Sequence, residues 1–362
     1  MPSIGQPPLP AVRAVELLRA TLVTLHRKLV PGHLALMEMF TAGWLTQAIH
    51  AAAALGIADA LADGPRTGAQ LALAVRADED ALHRLLRLLV SHGVFGIDRR
   101  GRYRLTPAAR ALRSDAEVSL RDAILFFGTE FHRGQWTRIV DAVRTGASVD
   151  ATGGGGSFFD RVAADRELGE VFDRAMTSIA SMSVEPLLRG FDFARFDTVV
   201  DVGGGEGRFL AEILRRTPRS RGILFDLPEV VAGAPARLAE MGVADRCEIR
   251  AGSFFDEVPA GGDAYVLKHV VHDWDEERIA AILRTLRAAM SPRARLLLIE
   301  LVLPEHRRPH PGKYIDLEML VNTGGRERTE SEYRALLARS GFTLLRTVET
   351  VSPENVIEAA LA

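Results

Sequence analysis

From Phe196 onward, short apolar runs alternate with segments of helical periodicity. The runs are rich in Val, Ile and Leu, as buried strands are, and read DTVVDV, GILFDL, RCEIRA, DAYVLK and RLLLIELVL. Strands that alternate with helices form one sheet through crossovers, which place the helices on both faces. The alternation therefore predicts an α/β fold with a doubly wound, Rossmann-like parallel sheet. Two further strands, FTLLRTVE and NVIEAAL, lie only a few residues apart, and we expect them to pair as an antiparallel edge hairpin.

The first third of the chain differs from this pattern. Apolar spacing indicates a helix over residues 11–29 and a second in LALMEMFTAGWLTQAIHAAAALG, whose wide apolar face favours packing between domains or subunits. RTGAQLALAV and DEDALHRLLRLLVSHG predict two short helices capped by Thr67 and Asp78. VFGIDRRGRYRLT predicts a hairpin that turns at Asp98 to Gly101. Helices followed by a two-stranded wing make a winged-helix fold.

A winged helix can bind DNA or serve as a dimerisation module. The helix that would enter a DNA groove, DEDALHRLLRLLVSHG, begins with three acidic residues and is dominated by leucine. Arg84 and Arg87 alone would have to read phosphates or bases. A net charge of −2 also gives no general attraction to nucleic acid or anionic membranes. We therefore favour dimerisation and predict no nucleic-acid or membrane partner.

Composition narrows the cellular setting. A length of 362 residues suggests about two domains. Cys247 has no second cysteine to pair with, which suits a reducing cytoplasm. The start MPSIGQPPLP lacks a signal-peptide pattern, and no apolar run reaches the ~18 residues of a membrane span. We expect a soluble, cytoplasmic protein.

Four consecutive glycines lie in ATGGGGSFFD, residues 151–160. A phosphate cradle would need a preceding strand and a following Gly-Lys-Ser/Thr, and the chain has neither. We interpret this segment as a flexible loop.

The segment VVDVGGGEGRFLAEIL predicts a strand, a glycine turn and a helix. Gly203, Gly205 and Gly207 would let a ligand approach the backbone at the carboxyl end of the first strand, although G-x-G-x-G differs from the dinucleotide pattern G-x-G-x-x-G. Asp226 ends the second strand, where a carboxylate can accept hydrogen bonds from both ribose hydroxyls. It could instead cap the segment that begins LPEVV. Together the two features favour an adenosine ligand without a pyrophosphate.

The stretch VLKHVVHDWDEER places His269 and His272 at the end of the fourth strand, the edge where doubly wound sheets bind ligands. A histidine with a pKa near ~6.5 suits general-base catalysis, but a structural role is also open. A metal site would use both histidines with Asp273. The spacing H-x-x-H-D lacks the glutamate of H-E-x-x-H and does not lie on a helix, so we predict no metal. Asp275 is expected to cap the next helix, with Trp274 in a hydrophobic staple.

Two glutamates stand out further along the chain. Glu300 ends the fifth strand in an otherwise apolar run, and it either faces the ligand cleft or caps a loop. Glu327 follows a glycine turn in GGRERT and could equally be a solvated loop charge.

Five motifs, in this order, resemble those of S-adenosylmethionine-dependent O-methyltransferases: VVDVGGGEG, GILFDLPEVV, KHVVHDWDEER, IELVLP and GGRERTESEYRALLARSGF. The group includes plant caffeate-type enzymes, hydroxyindole O-methyltransferases and bacterial secondary-metabolite enzymes. The resemblance covers almost the whole chain. It implies a winged-helix dimerisation domain over residues 1–115, a helical region over 116–190 that contributes to a substrate pocket, and a cofactor-binding domain over 191–362. The expected activity is methyl transfer by a homodimer to a hydroxyl of a small aromatic metabolite.

The resemblance also implies a cofactor site. Gly203 would lie under the methionine part of S-adenosylmethionine, and Asp226 matches the acid that binds the ribose. Lys268 matches a lysine near the adenine. Ser253 and Phe254 occupy adenine-contact positions, although the family usually has aspartate where this chain has Ser253.

For catalysis, the resemblance identifies His272 as the general base, flanked by Glu300 and Glu327. The two carboxylates would orient the imidazole and stabilise the imidazolium. Two roles are open for Asp273, which could hold the loop or contact the substrate. His269 has no such constellation of partners in the sequence, and we expect it to be structural.

The acceptor is expected to lie against apolar side chains, which would favour a flat aromatic molecule but could equally be core: Phe172, Met176, Met182 and Met319. Asn322 could bind a polar substituent. Two alternatives stay open, a cofactor-binding relative that hydroxylates or decarboxylates and a winged-helix regulator with a sensor domain. The presence of His272, Glu300 and Glu327 argues against the first.

Overall fold

The computed structural model describes residues 7–153 and 156–362. Within these, the chain divides into two units. The helical unit comprises residues 17–138 and 156–182, and the sheet unit comprises the described residues up to 16, those of 139–153, and 183–362.

Up to residue 190 the chain is mostly helical. Its elements are α1 Leu9–Lys28, α2 Gly32–Ala54, α3 Ile57–Ala60, α4 Gly68–Val75, α5 Glu79–Ser91, β1 Phe95–Ile97, β2 Tyr103–Leu105, α6 Pro107–Arg110, α7 Arg121–Phe127, α8 Glu130–Thr137, α9 Ile139–Thr145, α10 Val149–Gly153, α11 Phe158–Ala164 and α12 Arg166–Gly190.

The predicted winged helix is present in the helical unit. Thr67 accepts a hydrogen bond from the Gln70 N–H at the start of α4, and Asp78 does the same for Ala81 at the start of α5. Strands β1 and β2 pair antiparallel, and the turn between them is closed by Asp98, whose carboxylate accepts two backbone N–H bonds. The predicted caps and the hairpin are confirmed.

The two N-terminal helices leave much apolar surface uncovered. Helix α1 buries none of its residues, and α2 exposes large side chains at Leu36, Met37, Phe40 and Trp44, the last of them 66% exposed. Apolar patches of this kind usually mark an interaction surface.

The elements after residue 190 are β3 Thr198–Val202, α13 Arg208–Arg216, β4 Arg221–Asp226, α14 Pro228–Val231, α15 Ala234–Glu240, β5 Cys247–Ala251, β6 Ala264–Lys268, α16 Glu276–Ala289, β7 Arg295–Glu300, α17 Gly312–Asn322, α18 Glu330–Arg339, β8 Phe342–Glu349 and β9 Asn355–Leu361. Short 3-10 helices lie at Ala244–Arg246 and Val271–Asp273.

One seven-stranded sheet organises the sheet unit, with the strand order β5-β4-β3-β6-β7-β9-β8. Strands β3 to β7 are parallel, β9 runs antiparallel to β7, and β8 pairs antiparallel with β9 at the edge. The predicted doubly wound sheet and its edge hairpin are confirmed. Because β3 and β6 are neighbours, the chain reverses direction across the sheet between them, and their carboxyl ends form the switch point where such sheets bind ligands.

Both faces of the sheet are covered. Val200, Val202 and Leu267 face one apolar cluster with residues of α16 and α18, while Val199 and Val266 face another with residues of α13 and α15. Strands buried on both sides read as continuous apolar runs, which explains why the sequence marks them so clearly.

Two further expectations concern the chain as a whole. Among the described residues, every helix is too short or too polar to cross a membrane. The four-glycine segment is only partly described: α10 reaches Gly153 and Ser157 caps α11, while Gly154 and Gly155 lie outside the described residues.

Candidate active site

The turn after β3 is built from glycines whose backbone other residues rarely adopt. Gly203, Gly205 and Gly207 have φ values of +73°, +61° and +80°. A Cβ at Gly203 would lie 2.9 Å from the Val270 side chain, whereas one at Gly205 would meet no heavy atom within 4 Å. The turn is therefore packed against Val270 at Gly203 and open at Gly205, which gives a ligand direct access to the backbone.

Asp226, at the end of β4, fixes this turn. Its Oδ2 accepts a hydrogen bond from the Gly205 N–H at 2.8 Å, and its Oδ1 accepts one from the Leu227 N–H at 2.7 Å. Burial raises the pKa of Asp226, and these two N–H groups oppose the rise. The carboxylate thus both holds the turn and orders the start of the LPEVV segment. Each oxygen keeps a second lone pair for a ligand hydroxyl.

Asp201, which the sequence reasoning missed, lies directly beneath the turn. Its side chain is buried, and a Cβ at Gly204 would lie 2.7 Å from its Oδ2. Among the described residues that oxygen has no hydrogen-bond partner. Burial, then Asp226, raises the pKa of Asp201 to about 7, while Lys268 lowers it. The signal in the sequence was an acid inside the apolar strand VVDV.

The predicted adenine contacts lie just after β5 and at the end of β6. Ser253 Oγ accepts a hydrogen bond from the Phe255 N–H at 3.2 Å, so this side chain orders its own loop. The Phe254 ring lies 3.6 Å from the Cβ position of Gly203 and packs edge-on against Trp274. Burial lowers the pKa of Lys268, which interacts electrostatically with Glu354, Glu300 and Asp201. Phe254 thus flanks the glycine turn, and Lys268 faces a group of acids.

His272 lies in the 3-10 turn that follows β6 and is only 7% exposed. Its Nδ1 lies 2.7 Å from Glu327 Oε1 and 3.5 Å from Glu300 Oε2, and both carboxylates are buried. Because a carboxylate can only accept, Glu327 keeps a proton on Nδ1, so Nε2 is the nitrogen with the lone pair whenever the ring is neutral. Asp273 Oδ1 lies 3.7 Å from Nε2, beyond hydrogen-bond distance.

Glu300 supports the same turn through the backbone. It ends β7 beside the end of β6, and its Oε1 accepts hydrogen bonds from the N–H groups of Val271 at 2.9 Å and Val270 at 3.3 Å. One carboxylate therefore fixes both the backbone and the electrostatic environment of His272.

The loop that carries Glu327 docks on the backbone of His272. The Arg326 N–H donates to the His272 carbonyl at 2.8 Å, and the Glu327 N–H donates to Asp316 Oδ1 at 3.0 Å. A Cβ at Gly325 would lie only 1.9 Å from the same carbonyl oxygen. This approach requires glycine at position 325, and it sets the distance between Glu327 and the imidazole.

The ionisation of His272 is controlled by these acids. Burial alone would lower its pKa, but Glu300, Asp273 and Glu327 together raise it to about 10. Burial raises the pKa of Glu300 to about 7 and that of Asp273 to about 6, in both cases against the attraction of His272. The imidazole is therefore a strong base, and the cluster binds and releases protons as a unit.

His269 has a carboxylate partner, contrary to our expectation from the sequence. Its Nε2 lies 3.1 Å from Glu354 Oε1, and Glu354 also accepts a hydrogen bond from the Ser352 hydroxyl. Burial, then Lys268, lowers the pKa of His269 to about 4. Burial would raise the pKa of Glu354, but the hydrogen bond from His269 and nearby charges lower it to about 2. Glu354 lies 85 residues away along the chain, so no local pattern in the sequence indicates this pair.

The three residues that lie close enough to share a metal ion differ from those that the sequence suggested. Ring nitrogens of His269 and His272 and a carboxylate oxygen of Glu300, rather than of Asp273, lie within 4.8 Å of one another. One nitrogen of each ring already faces a carboxylate, Glu354 for His269 and Glu327 for His272. The prediction that the site works without a metal stays a prediction.

The predicted acceptor contacts lie in both units. Phe172 and Met176 pack in an aromatic cluster of the helical unit, and Met182 is 43% exposed. Met319 lies on α17 of the sheet unit with Asn322, which is buried and donates from Nδ2 to Glu318. Their role as an acceptor wall stays a prediction.

The helix cap predicted after His272 is confirmed. Asp275 Oδ1 accepts a hydrogen bond from the Arg278 N–H at 2.8 Å and caps α16. Trp274 packs on Phe254 and Phe255, beside the cluster that contains Ile279. Trp274 is therefore part of the packing that supports the turn.

A parallel sheet with an antiparallel edge strand and a glycine turn at its switch point defines the class I S-adenosylmethionine-dependent methyltransferases. Residues 136–343 match the family model of the O-methyltransferase domain, and residues 37–115 match that of the O-methyltransferase dimerisation domain. The chain belongs to the O-methyltransferase family.

Characterised relatives extend over most of the chain. Phenazine O-methyltransferase PhzM of Lysobacter antibioticus is 42% identical over 330 residues, 91% of this chain and 96% of that protein. Mitomycin biosynthesis 6-O-methyltransferase of Streptomyces lavendulae is 36% identical over 324 residues, 89% of this chain and 92% of that protein.

Solved structures show the same architecture. The crystal structure of LaPhzM has a TM-score of 0.85 at 42% identity and covers 92% of this chain and 100% of that one. Human N-acetylserotonin methyltransferase in complex with S-adenosylmethionine has a TM-score of 0.84 at 28% identity, with coverage of 92% and 98%. The chain is thus a methyltransferase in both sequence and fold.

Proposed function

We propose that this enzyme transfers a methyl group from S-adenosylmethionine to a hydroxyl of a small aromatic metabolite, with His272 as the general base. The observation that carries the proposal is the pair of buried carboxylates, Glu327 and Glu300, on one side of the His272 ring. The names of relatives support an aromatic acceptor, since they describe methylation of phenazines, of 3-amino-4-hydroxybenzoate and of a dihydroxynaphthoate.

The residues at the switch point fit the cofactor. Gly205 leaves the turn open, and Asp226 keeps lone pairs for ribose hydroxyls after bonding the backbone. Phe254 offers an apolar ring beside Gly203, and we propose that Ser253 and Lys268 lie near the adenine. When bound, S-adenosylmethionine supplies a methyl group on a positively charged sulfur, so the protein needs no metal to activate the electrophile.

His272 is oriented to take the proton of the acceptor. With its Nδ1–H donated to Glu327, the Nε2 lone pair is the one available to a hydroxyl. A phenol has a pKa of ~10, close to the value of about 10 to which the carboxylates raise that of His272. Proton transfer between the two is therefore close to balance, and Glu300 and Glu327 offset the charge of the imidazolium.

The same basicity affects the resting enzyme. An imidazole with a pKa of about 10 carries a proton at neutral pH, and it would hold an ionised acceptor as phenolate beside imidazolium. Two arrangements contain the same number of protons: a neutral His272 beside a phenol, and a His272 imidazolium beside a phenolate. Both arrangements predict that methyl transfer to a phenol rises with pH up to about pH 10.

The assembly follows from the dimerisation domain. We propose a homodimer formed through the N-terminal helices, in which Leu36, Phe40 and Trp44 are covered by a second copy. The roles predicted for residues 1–115, 116–190 and 191–362 remain our proposals, as does a cytoplasmic location, which the single cysteine favours.

The direct test is incubation with labelled S-adenosylmethionine and a panel of phenols, phenazines, indoles and aromatic polyketides. We expect labelled methyl ether with at least one class, and a much smaller yield from His272→Ala. Consumption of cofactor with hydroxylated or decarboxylated product would contradict the proposal. Specific DNA binding at low salt without methyl transfer would favour the regulator instead.

A further inference from the structure

His269 adopts a backbone conformation that needs an explanation. Its φ is +54°, and among the described residues Arg76 is the other non-glycine residue with a positive φ. Arg76 ends helix α4, where a left-handed residue is common. His269 instead joins β6 to the turn that carries His272, where glycine would avoid a cost of roughly 1–2 kcal/mol. Strain of this kind is kept where the side chain is needed.

The ring of His269 is held in one tautomer. Glu354 accepts the Nε2–H at 3.1 Å, and the Thr350 hydroxyl in turn donates to the Glu354 carbonyl at 2.9 Å. Burial keeps the ring neutral at pH 7, because it lowers the pKa of His269 to about 4. Nδ1 is therefore an acceptor. No described residue donates to it, and the side chain is 24% exposed, so a ligand can reach it.

His269 and His272 present two acceptors side by side. Their ring centroids are 5.1 Å apart with a tilt of 38°, so the two rings are direct neighbours. In the reactive state, in which His272 is neutral, each ring donates its only N–H to its own carboxylate, Glu354 or Glu327. Two neighbouring lone pairs with no donor between them are complementary to a molecule with two adjacent donors.

We propose that His269 is a specificity-determining residue that accepts a hydrogen bond from a second donor of the methyl acceptor, next to the hydroxyl that His272 deprotonates. The inference rests on the proposed O-methyl transfer and narrows its substrates to vicinal diols and o-aminophenols. A monomethyl ether has lost one of the two donors. It therefore pairs poorly with the two histidines and is a weak ligand for a second round.

Binding can be measured without turnover. The full-length protein, saturated with S-adenosylhomocysteine, is titrated by calorimetry with 2,3-dihydroxynaphthalene, 2-naphthol and 3-methoxy-2-naphthol. These probes carry two donors, one donor, and one donor beside a blocked oxygen. A hydrogen bond contributes about 0.5–1.5 kcal/mol, so we expect the diol to bind about tenfold more tightly than either mono-ol.

Three variants test whether His269 causes the preference for the diol. His269→Leu should reduce the diol preference to about one. His269→Asn keeps an acceptor and tolerates the positive φ, so it should retain most of the preference even if His269→Leu folds poorly. Glu354→Gln can accept or donate, so it no longer fixes the tautomer and should weaken the preference in part.

Other results would overturn the inference: no diol preference in the natural protein, equal weakening of all three probes by His269→Leu and His269→Asn, or binding of none of the probes. A tenfold loss of S-adenosylhomocysteine affinity in His269→Leu would also overturn it, because the donor would then be the cofactor. A diol preference in binding, without methyl transfer to any acceptor of the panel described above, would support the inference and remove the proposed function.

Discussion

Replacing Glu327 with glutamine measures how much of the basicity of His272 comes from one carboxylate. The two side chains are both buried and lie 2.7 Å apart, which is the geometry of a strong, charge-assisted hydrogen bond. Such a bond contributes roughly 1.5–3 kcal/mol, and one pKa unit corresponds to about 1.36 kcal/mol. The pKa of His272, raised to about 10 in the natural enzyme, should therefore fall by about one to two units.

The effect on the rate should depend on pH. At neutral pH the resting site contains a His272 imidazolium and a protonated phenol. This pair must lose one proton to solvent before methyl transfer can occur. Near pH 7, easier loss of the imidazolium proton offsets the weaker basicity, so kcat/KM should change little. Above the new pKa the weaker base limits the reaction, and the plateau should fall about 10- to 100-fold. The inflection should move down by the same one to two units as the pKa.

The assay is a profile of kcat/KM from about pH 6 to about pH 11 with a phenol that stays protonated over most of that range, together with an NMR titration of labelled His272. Glu327→Ala is the matched control, because it removes the acceptor as well as the charge and should lower the rate at every pH. An unchanged inflection in Glu327→Gln, or a loss equal at all pH values, would show that Glu327 acts by orientation and would refute the electrostatic argument.

His272→Ala should lower methyl transfer by about 10²- to 10⁴-fold, and less with an acidic nitrophenol that ionises unaided, while calorimetry shows unchanged cofactor affinity. Ser253→Asp should tighten S-adenosylmethionine binding by about 1.5–3 kcal/mol, since it adds a charged acceptor for the adenine amino group. Gly325→Ala should lower methyl transfer by roughly 10²-fold through displacement of Glu327, because its Cβ would lie 1.9 Å from the His272 carbonyl. Light scattering at micromolar protein should give twice the chain mass of 39.5 kDa, and Trp44→Glu should shift it toward the monomer.

Each of these predictions has an outcome that contradicts it. Equal losses for ordinary and acidic phenols would argue against His272 as the base. Unchanged or weaker cofactor binding in Ser253→Asp would show that this position does not meet the adenine. Normal activity of Gly325→Ala would mean that the docking of this loop does not set the site, and a monomeric natural protein would remove the proposed interface.

Much of the sheet could be predicted because its strands are buried on both faces. The runs before Gly203 and Asp226 end within a residue or two of the observed strands. The run RLLLIELVL was less informative: β7 stops at Glu300, and Leu303 leaves the sheet to pair with Thr329. The helices between residues 107 and 165 are short, at four to eight residues, and give too few turns for a periodic pattern.

The site was only partly accessible from the sequence. Its motifs placed His272, Glu300 and Glu327 at loop and strand ends that the fold brings together within hydrogen-bond or ion-pair distance. Glu354 could not be assigned, since its pairing with His269 depends on where β9 joins the sheet. The acid inside the apolar strand VVDV marked Asp201 as unusual, but its position beneath the glycine turn, close to Asp226 and Lys268, depends on the fold.

The position of β9 also determines when the site can be completed during synthesis. This strand lies between β7 and β8, although the ribosome makes it after both. Strand β8 therefore emerges with no neighbour to pair with, and it must wait for β9 before it can join the sheet. Glu354 immediately precedes β9 and is made in the same interval. The cofactor turn, His272, Glu300 and Glu327 all precede β8 in the chain and can assemble before β9 joins the sheet, whereas His269 gains its carboxylate only as β9 docks. The step that closes the sheet is therefore also the step that fixes the second histidine.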